Sequence, residues 1–570
     1  MSDSNYTGQI EAYLGDEAVA MGALHGGINA AYGYPGTPST EIMEYLMAQC
    51  GKYGDVRARW CANEKTALEA ALGTSFAGRR AVVTMKHVGL NVAADPFING
   101  SLLGIQGGLV IAAADDPGMH SSQNEQDSRF YASFAMIPCL EPRNQQEAYD
   151  MTRDAFDISE YFHVPVMIRL TTRLAHARSA VVLKPAREQN PCVKMKDKTE
   201  WMLLPVFARR NYSRLIEKQE GLAAWSEVYP VNRLELEGRD TGFAVITSGL
   251  GGNYYEENLD DLTALRGKVP ARLHIGAYPL PVNAVRKLCQ NAGQVIVIEE
   301  GQPFIEEKLR GILPPNVKIA GKLKNFDGKR PGPVVRTGEL DPDNVRAALE
   351  LPPLPNILSF INNKDAQASL DSILPKIPNR PPQLCAGCPH GDSYAVIKKV
   401  AEELDPVPNH PSVAITSDIG CYSLGAGPPW QAIESIVCMG ASVGMARGAA
   451  EAGIPYTAAV IGDSTFLHSG ITGLLDAVSF NTPMTLIILD NSIVAMTGCQ
   501  ETIVPSAKLR GLILGLGVAP EHLVELEAKK QLVEENAALL KKEMEYRGLS
   551  VVIFRRECLE AARKRLKAGS

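Results

Sequence analysis

Short apolar runs, each ending in glycine or polar residues, alternate with helix-like segments along three stretches of the chain. In the first stretch this pattern predicts helices over 15–27 and 65–78 and strands over 30–34, 80–85 and 108–114. Continuous apolar strands separated by helices are typical of a parallel sheet buried on both faces. The pattern returns in FAVITSG, ARLHIG and QVIVIEEG, and again in SVAIT, YTAAVI, MTLIIL and LSVVIF. We therefore expect an α/β protein with parallel sheets flanked by helices.

The chain has 570 residues, which is too many for a single hydrophobic core, so we expect several domains. The three α/β stretches occupy residues 1–183, 241–340 and 383–565. Residues 184–240 show a weaker pattern and predict a partly helical linker on the surface. Residues 341–382 are rich in proline, as in LPPLP and NRPPQ, which predicts an extended linker between domains.

Composition excludes some classes of partner. The formal net charge of -7 gives no argument for nucleic acid or an anionic membrane, and no apolar run approaches the ~20 residues that span a bilayer. The first residues have neither the basic nor the apolar region of a signal peptide. Without a secretory signal, the 11 cysteines indicate reduced thiols. We expect a cytoplasmic protein that uses cysteines for metal or redox chemistry.

Two predicted strands end in residues that suit a metal ion. One ends at Gly462-Asp463-Ser464 and the next at Asn491, a gap of 28 residues that matches one helical crossover between parallel strands. With the main-chain carbonyl of Ile493, these side chains offer oxygen ligands for Mg²⁺ at the ligand-binding edge of a sheet. The spacing resembles the diphosphate-binding motif of thiamine diphosphate enzymes. A Rossmann-like unit without this cofactor can also carry Gly-Asp and Asn at its strand ends.

Polar residues also follow the strands of the first stretch. The loop PGTPSTE, over 35–41, either caps the next helix or lines a pocket. Glu64 opens a helix, where a glutamate either compensates the helix dipole, worth ~0.3–1 kcal/mol, or bonds the pyrimidine of a thiamine cofactor. KHVGLN and the segment 115–129 follow two further strands and would be solvated loops by default. Because they begin at the same sheet edge, we expect a pocket lined by His87, Ser122, Asn124 and Arg129.

The third stretch contains cysteines at positions that suit a cluster. Cys385 and Cys388 form a Cys-X-X-Cys pair, and Cys421 and Cys558 each follow a predicted strand. Four thiolates are what a [4Fe–4S] cluster requires. The alternative for the pair is a zinc knuckle with His390 as a further ligand. No second Cys-X-X-Cys pair occurs at zinc-ribbon spacing.

These segments occur together, in order, in one protein family. Through YPGTPSTE, NEK, KHVGLN, SSQNEQDSR, CAGCPH, SDIGC and GDSTFLHSG followed by DN, the chain resembles the large (alpha) subunits of the indolepyruvate:ferredoxin oxidoreductases, within the thiamine diphosphate-dependent 2-oxoacid:ferredoxin oxidoreductases. The resemblance implies a pyrimidine-binding domain over 1–183, a transketolase C-terminal-like domain over 241–340 and a diphosphate-binding domain over 383–565. It also implies CoA-dependent oxidative decarboxylation of an aryl 2-oxoacid of the indolepyruvate, phenylpyruvate or phenylglyoxylate type.

The resemblance also implies roles for individual residues. Glu64, with His87, would be catalytic, and the Mg²⁺ ligands would be Asp463, Asn491 and the carbonyl of Ile493. The cluster ligands would be Cys385, Cys388 and Cys421, with Cys558 as the fourth and Cys499 as its competitor. Cofactor contacts are expected at Pro35, Thr37, Glu64, Asn91, Gly420, Cys421, Gly462, Asp463, Ser464 and Asn491, and substrate contacts at Thr37, Ser122, Asn124 and Arg129.

The implied partners follow from the same resemblance. The family uses a small (beta) subunit and pairs two copies of the large one. Its large subunits usually continue into a ferredoxin-like domain with two more cysteine-rich motifs, which this sequence, ending at Ser570, lacks. Electrons would then pass to a ferredoxin or to a separate subunit carrying clusters or flavin. Two rival functions are a non-oxidative thiamine diphosphate-dependent decarboxylase or lyase and a non-catalytic, cofactor-binding subunit.

Overall fold

The computed structural model describes residues 8–193, 197–354, 364–377, 382–405 and 412–568. The chain divides into two compact units, residues 1–368 and 369–570. The strands of the first unit are β1 (Ile10–Leu14), β2 (Ala30–Gly33), β3 (Arg57–Trp60), β4 (Ala81–Lys86), β5 (Leu109–Asp115), β6 (Cys139–Leu140), β7 (Val166–Thr171), β8 (Arg178–Val182), β9 (Arg233–Glu235), β10 (Asp240–Ser248), β11 (Pro270–Ile275), β12 (Ala277–Tyr278), β13 (Gln294–Ile298) and β14 (Lys318–Ala320).

The helices of this unit surround its sheets. They are α1 (Gly15–His25), α2 (Thr40–Gln49), α3 (Glu64–Phe76), α4 (His87–Val92), α5 (Ala94–Ser101), α6 (Ser128–Ala135), α7 (Gln145–Phe162), α8 (Thr172–His176), α9 (Pro205–Val228), α10 (Gly251–Glu257), α11 (Leu259–Arg266), α12 (Val282–Cys289), α13 (Phe304–Ile312) and α14 (Pro342–Ala348). The strands and helices predicted for the first stretch are confirmed to within two residues at either end.

The first unit is built on a seven-stranded sheet in the order β12-β6-β7-β5-β4-β2-β3. All its neighbours are parallel except β12 and β6. Every residue of the central strand β5 is buried, as its apolar run predicts. Because β2, β4 and β5 are parallel neighbours, the loops that follow them emerge together at the carboxyl edge of the sheet.

A five-stranded sheet, in the order β14-β13-β10-β11-β9, follows in the chain. Strand β12, directly after β11, pairs with β6 of the seven-stranded sheet. The second α/β stretch therefore shares hydrogen bonds with the first. The prediction of an extended linker over 341–382 is wrong for its beginning: α14 is helical, capped by Asp341, and buries Val345 and Ala348. Apolar side chains at helical spacing outweigh the proline content there.

The second unit contains a six-stranded, wholly parallel sheet in the order β16-β15-β17-β18-β22-β21. Its strands are β15 (Val413–Ser417), β16 (Ser435–Ile436), β17 (Tyr456–Gly462), β18 (Thr485–Asp490), β21 (Leu523–Glu527) and β22 (Ser550–Arg555), and β19 (Ile493–Val494) and β20 (Gln500–Glu501) form a separate antiparallel pair. Helix α15 (Lys364–Ile373) includes the boundary between the two units. The helices that follow it in the second unit are α16 (Pro389–Leu404), α17 (Ala441–Glu451), α18 (Asp463–Thr465), α19 (Ile471–Ser479), α20 (Ser506–Gly515), α21 (Val533–Glu545) and α22 (Leu559–Ala568). The four strands predicted from SVAIT, YTAAVI, MTLIIL and LSVVIF are confirmed.

Candidate functional site

Four adjacent strands of the second unit end at one edge of its sheet. The residues that follow β15, β17, β18 and β22 are Asp418 to Cys421, Asp463, Asn491 and Arg556 to Cys558. Two backbone hydrogen bonds join the loops after β18 and β22: the Cys558 N–H donates to the Asn491 carbonyl at 3.3 Å, and the Arg556 N–H to the Asp490 carbonyl at 3.1 Å. The sequence motifs for diphosphate and for thiols therefore meet at this edge.

Asp463 is buried, with 6% of its surface exposed, and lies beside a second carboxylate. Its Oδ1 accepts the Ser464 N–H and its Oδ2 the Ser492 N–H, both at 2.9 Å, and the Ser492 N–H also donates to Asp490 Oδ1 at 3.1 Å. Burial and the charge of Asp490 raise the pKa of Asp463 well above its ordinary value. A divalent cation would relieve this repulsion, so these oxygens suit Mg²⁺.

The sequence prediction did not include Asp490. It precedes Asn491 at the end of β18 and forms an ion pair with Arg555, whose Nε lies 3.0 Å from its Oδ2. Ser506 Oγ donates to its Oδ1 at 2.6 Å. The Asp-Asn pair at a strand end was the signal that would have revealed it.

Asn491 is held between its own loop and α16. Its Oδ1 accepts the Ile493 N–H at 3.2 Å, and its Nδ2 lies 3.2 Å from His390 Nε2. Because an amide NH₂ group only donates, Nε2 is the acceptor. Burial, aided by Arg556, lowers the pKa of His390 to about 4, so the imidazole is neutral. Its Nε2 lone pair is directed to Asn491, which argues against the zinc-knuckle alternative.

Gly420 and Gly462 pack against the ring of Tyr422. A Cβ at Gly420 would lie 2.3 Å from Tyr422 Cε1, and one at Gly462 would lie 2.6 Å from the same atom. The Tyr422 hydroxyl in turn donates to Asp418, whose pKa burial raises to about 6. Only glycine therefore fits at positions 420 and 462, both of which were predicted to contact the cofactor.

After Asp463 the helix widens into one π-helical turn, residues 466–470. The turn packs against Gly440, where a Cβ would lie 2.6 Å from Ser469 Cβ, and Gly440 has a φ of +85°. Thr465 Oγ1 donates to the Ile419 carbonyl at 3.1 Å. Single π-helical turns are frequent at functional sites because they shift side chains out of helical register.

Five thiols are grouped at the same edge. Burial raises the pKa of Cys421 to about 12, and the charges of Cys388, Cys558, Cys385 and Cys499, in that order, add to the shift. The described part of the chain includes all five, and no three of their sulfur atoms lie within 4.8 Å of one another. A single tetrahedral zinc ion would need sulfur atoms about 3.8 Å apart. The thiols therefore do not form a preformed site for a single zinc ion.

Cys558 and Cys499 differ in their relation to the other thiols. Burial raises the pKa of Cys388, and Cys385 and Cys558 both add to this shift. Burial also raises the pKa of Cys499, against the effect of Lys564, whose Nζ donates to the Gly498 carbonyl at 2.7 Å. Cys499 therefore has a cation beside it as well as the thiol of Cys558.

In the first unit, Glu64 is the first residue of α3 and is 4% exposed. Asn63 caps the helix, because its side-chain oxygen accepts the Thr66 N–H at 2.9 Å. The Glu64 side chain packs over Gly89 of α4: a Cβ there would lie 2.7 Å from both Cγ and Oε1 of Glu64. Gly89, inside the KHVGLN segment, was not predicted as a site residue.

Lys86 is a half-buried cation that the sequence prediction also missed. Burial lowers its pKa to about 8, against the opposing effect of Asp116 and Glu64. Its Nζ donates to the Ser121 carbonyl at 3.2 Å. A half-buried lysine with a lowered pKa next to two carboxylates, at the end of a strand, is typical of a functional site. It directly precedes His87, which was predicted.

The loops after β2, β4 and β5 are hydrogen-bonded to one another. Ser121 Oγ donates to the Thr37 carbonyl at 3.1 Å, in the loop that also contains Pro35. Ser122 Oγ donates to Asp116 at 2.7 Å. His87 is fully buried, and its Nε2 lies 3.1 Å from the carbonyl and 3.2 Å from the side-chain oxygen of Asn124. Separately, Tyr131 donates to the side-chain oxygen of Asn91 at 2.5 Å.

Arg129 lies apart from these loops. Its side chain is fully buried, with its guanidinium 2.5 Å from Asp127 and 3.0 Å from Glu299, and it donates to the carbonyls of Glu300 and Gln302. Arg169 extends the cluster by an ion pair with Asp115 at 2.6 Å. All these contacts are internal, so the structure gives no support to the prediction that Arg129 contacts the substrate. Its exposed, polar sequence neighbourhood concealed this burial.

No helix among the described residues has both the length and the apolar character needed to cross a membrane.

Two family models match this chain. Residues 21–217 match the family described as "Pyruvate flavodoxin/ferredoxin oxidoreductase, thiamine diP-bdg", and residues 418–552 match "Thiamine pyrophosphate enzyme, C-terminal TPP binding domain". The indolepyruvate oxidoreductase subunit IorA of Archaeoglobus fulgidus is 36% identical, over 96% of this chain and 86% of that protein. IorA of Methanothermobacter thermautotrophicus is 34% identical, over the same shares of the two chains.

A more distant relative covers about half of the chain. The 2-oxoglutarate synthase subunit KorA of Archaeoglobus fulgidus is 26% identical over 51% of this chain and 88% of that protein. The resemblance inferred from the sequence motifs is thereby confirmed. At 36% identity over nearly its whole length, the chain belongs to the IorA family of indolepyruvate oxidoreductase subunits and is a thiamine diphosphate-dependent 2-oxoacid oxidoreductase.

Proposed function

We propose that this chain is the catalytic subunit for CoA-dependent oxidative decarboxylation of an aryl 2-oxoacid, with electrons leaving singly through a [4Fe–4S] cluster. The relatives with about 35% identity are named for indolepyruvate, an aryl 2-oxoacid, which supports this substrate class over 2-oxoglutarate. Indolepyruvate, phenylpyruvate and phenylglyoxylate are the candidates to assay.

The observation that carries the proposal is the position of the thiols. Cys558 is hydrogen-bonded to the carbonyl of Asn491, and Cys421 follows the strand next to the one that ends at Asp463. A cluster held by Cys385, Cys388, Cys421 and Cys558 would therefore lie beside the diphosphate end of the cofactor. A non-oxidative decarboxylase has no use for such an arrangement.

Mg²⁺ would be held by Asp463, Asn491 and the carbonyl of Ile493. The carboxylate of Asp490, next to Asp463, would add negative charge to the site. The ion would neutralise the cofactor's diphosphate, and bound thiamine diphosphate would supply the electron sink for decarboxylation. Gly420 and Gly462 let the ring of Tyr422 pack directly against the backbone at this edge.

Glu64 is proposed to hydrogen-bond the pyrimidine ring of the cofactor. Its buried position over Gly89 fixes the carboxylate. Lys86 supplies the positive charge next to it, and we assign it the attraction of the substrate carboxylate, a task for which a desolvated ammonium is suited. His87, held by Asn124, completes this edge as a proton carrier.

The proposal includes partners. The curated relatives are named as subunits, which supports a small subunit that completes the enzyme. Two large subunits are expected in the assembly. The electrons are expected to pass to a ferredoxin or to a separate subunit with clusters or flavin.

The test is anaerobic iron and sulfide analysis with EPR of the dithionite-reduced protein. We expect about four irons per chain and a reduced [4Fe–4S] signal. Cys558→Ser is expected to lose or change this signal, and Cys499→Ser, the matched control, to keep it. Absence of iron after cluster reconstitution would refute the electron path. Turnover of pyruvate in preference to all three aryl oxoacids would refute the substrate class.

A further inference from the structure

Three ligand-type side chains converge in the first unit at a place that the proposed function does not use. They are Asp16 in the first turn of α1, Glu41 in the first turn of α2 and His176 at the end of α8. One ligand atom from each lies within 4.8 Å of the other two, and among the described residues this is the one such group of three. His176 Nε2 is 3.7 Å from Glu41 Oε2.

Asp16 gives this group a feature that ordinary acidic clusters lack. The residue is fully buried, and no hydrogen-bond donor faces either of its carboxylate oxygens; Glu41, the carboxyl beside it, has His176 as its own partner. The charged groups that act on Asp16 are Glu41 and Glu17, both acidic. A buried carboxylate without a partner costs several kcal/mol, so its oxygens require a cation or a proton.

We propose that a divalent transition-metal ion binds between Asp16, Glu41 and His176. Two carboxylates and an imidazole are a ligand set that suits Zn²⁺ or Mn²⁺. Bonds of about 2.1 Å to each ligand need ligand atoms within about 4.2 Å of one another, so small side-chain rotations are sufficient. About a third of the His176 side chain is exposed, which provides an entry path and leaves coordination positions for water.

The ion would join three helices that are distant in sequence. Glu41 follows Thr40, the first residue of α2, whose Oγ1 accepts the Gly36 N–H of the loop 35–39 at 2.9 Å. Fixing the first turn of α2 would therefore also fix this loop. The metal acts as a structural staple in this proposal, and no catalytic step depends on it.

The test compares zinc binding by the purified, cluster-loaded full chain and by its variants. Equilibrium dialysis is combined with diffraction data collected at the zinc absorption edge. We expect an anomalous peak between the three side chains, and Asp16→Asn to weaken zinc binding at this site by about 100-fold or more, since losing even an outer-shell partner costs 10–100-fold. Glu44→Gln, an exposed change on the same helix α2, is the matched control and should leave binding unchanged.

Zinc bound by the cluster cysteines would be common to all variants and would appear elsewhere in the anomalous map. Asp16→Asn removes a buried charge and conserves shape, so we expect it to fold; zinc should raise the melting temperature of the wild type and leave that of the variant unchanged. Absence of the peak, together with an infrared band of a protonated carboxyl that Asp16→Asn removes, would overturn the proposal in favour of a proton at this position.

Discussion

Gly89→Ala separates the position of the Glu64 carboxylate from the stability of the fold. The new Cβ would lie 2.7 Å from Oε1 and Cγ of Glu64, about 0.8 Å inside the optimum separation of about 3.5 Å. The carboxylate must therefore move by about that distance. Misplacing a catalytic group by 1 Å can cost about 100-fold in rate, so we expect kcat to fall by about two orders of magnitude.

The same change should have little effect on stability. Alanine favours the helix by about 1 kcal/mol over glycine, and crowding in a packed site costs about 1–3 kcal/mol. The net cost is then about 0–2 kcal/mol, so the melting temperature should fall by only a few degrees. Gly73→Ala is the matched control, because a Cβ at this position of α3 meets no atom within 4 Å. It should retain full activity.

The assay is oxoacid- and CoA-dependent reduction of methyl viologen by the reconstituted complex, with thermal unfolding measured in parallel. Glu64→Gln provides the reference for complete loss of the carboxylate and should abolish turnover with the fold intact. Normal kcat in Gly89→Ala would refute the assignment of Glu64. A large fall in melting temperature would instead show that the packing argument underestimates the crowding.

Three further outcomes follow from other contacts. Because its pKa is about 8, Lys86 loses its positive charge as the pH rises above that value. In steady-state kinetics, the KM for the oxoacid should therefore rise about 10-fold by pH 9 in the wild type and should not change with pH in Lys86→Met. Tyr422→Phe removes the hydroxyl that donates to buried Asp418 and should lower the unfolding free energy by about 1–3 kcal/mol in denaturant titrations. Arg129→Met breaks the buried ion pairs with Asp127 and Glu299, leaves Asp127 with the longer pair to Arg169 at 3.5 Å, and should cost about 3–5 kcal/mol; a folded variant of normal stability with a raised KM would restore a substrate role.

Lys86 also makes stability depend on pH. Its folded-state pKa of about 8 lies below the unfolded value near 10.4, so between these pH values the unfolded chain binds more protons. Its contribution to stability therefore rises with pH over this window. Thermal unfolding of wild type and Lys86→Met from pH 8 to pH 10 should show this difference, and parallel curves would contradict it.

The sequence by itself determined the strands and their ends. Buried parallel strands are continuous apolar runs, so β17 and β18 could be located within a residue or two, and with them the positions of Asp463 and Asn491. The cysteines were found by type and order alone. The strands, their ends and the cysteines are local features of the sequence or parts of a family pattern. Predicting them does not require knowing which segments of the chain contact one another.

Only the tertiary structure decided which groups face one another. The crowding of Glu64 on Gly89, the charge of Lys86 and the burial of Arg129 depend on packing between segments far apart in sequence. The polar residues after β5 look alike in sequence, yet one end of that segment is buried among ion pairs and the other bonds the Thr37 loop. Burial and partner charges are properties of the assembled fold, and a pattern of residue types does not contain them.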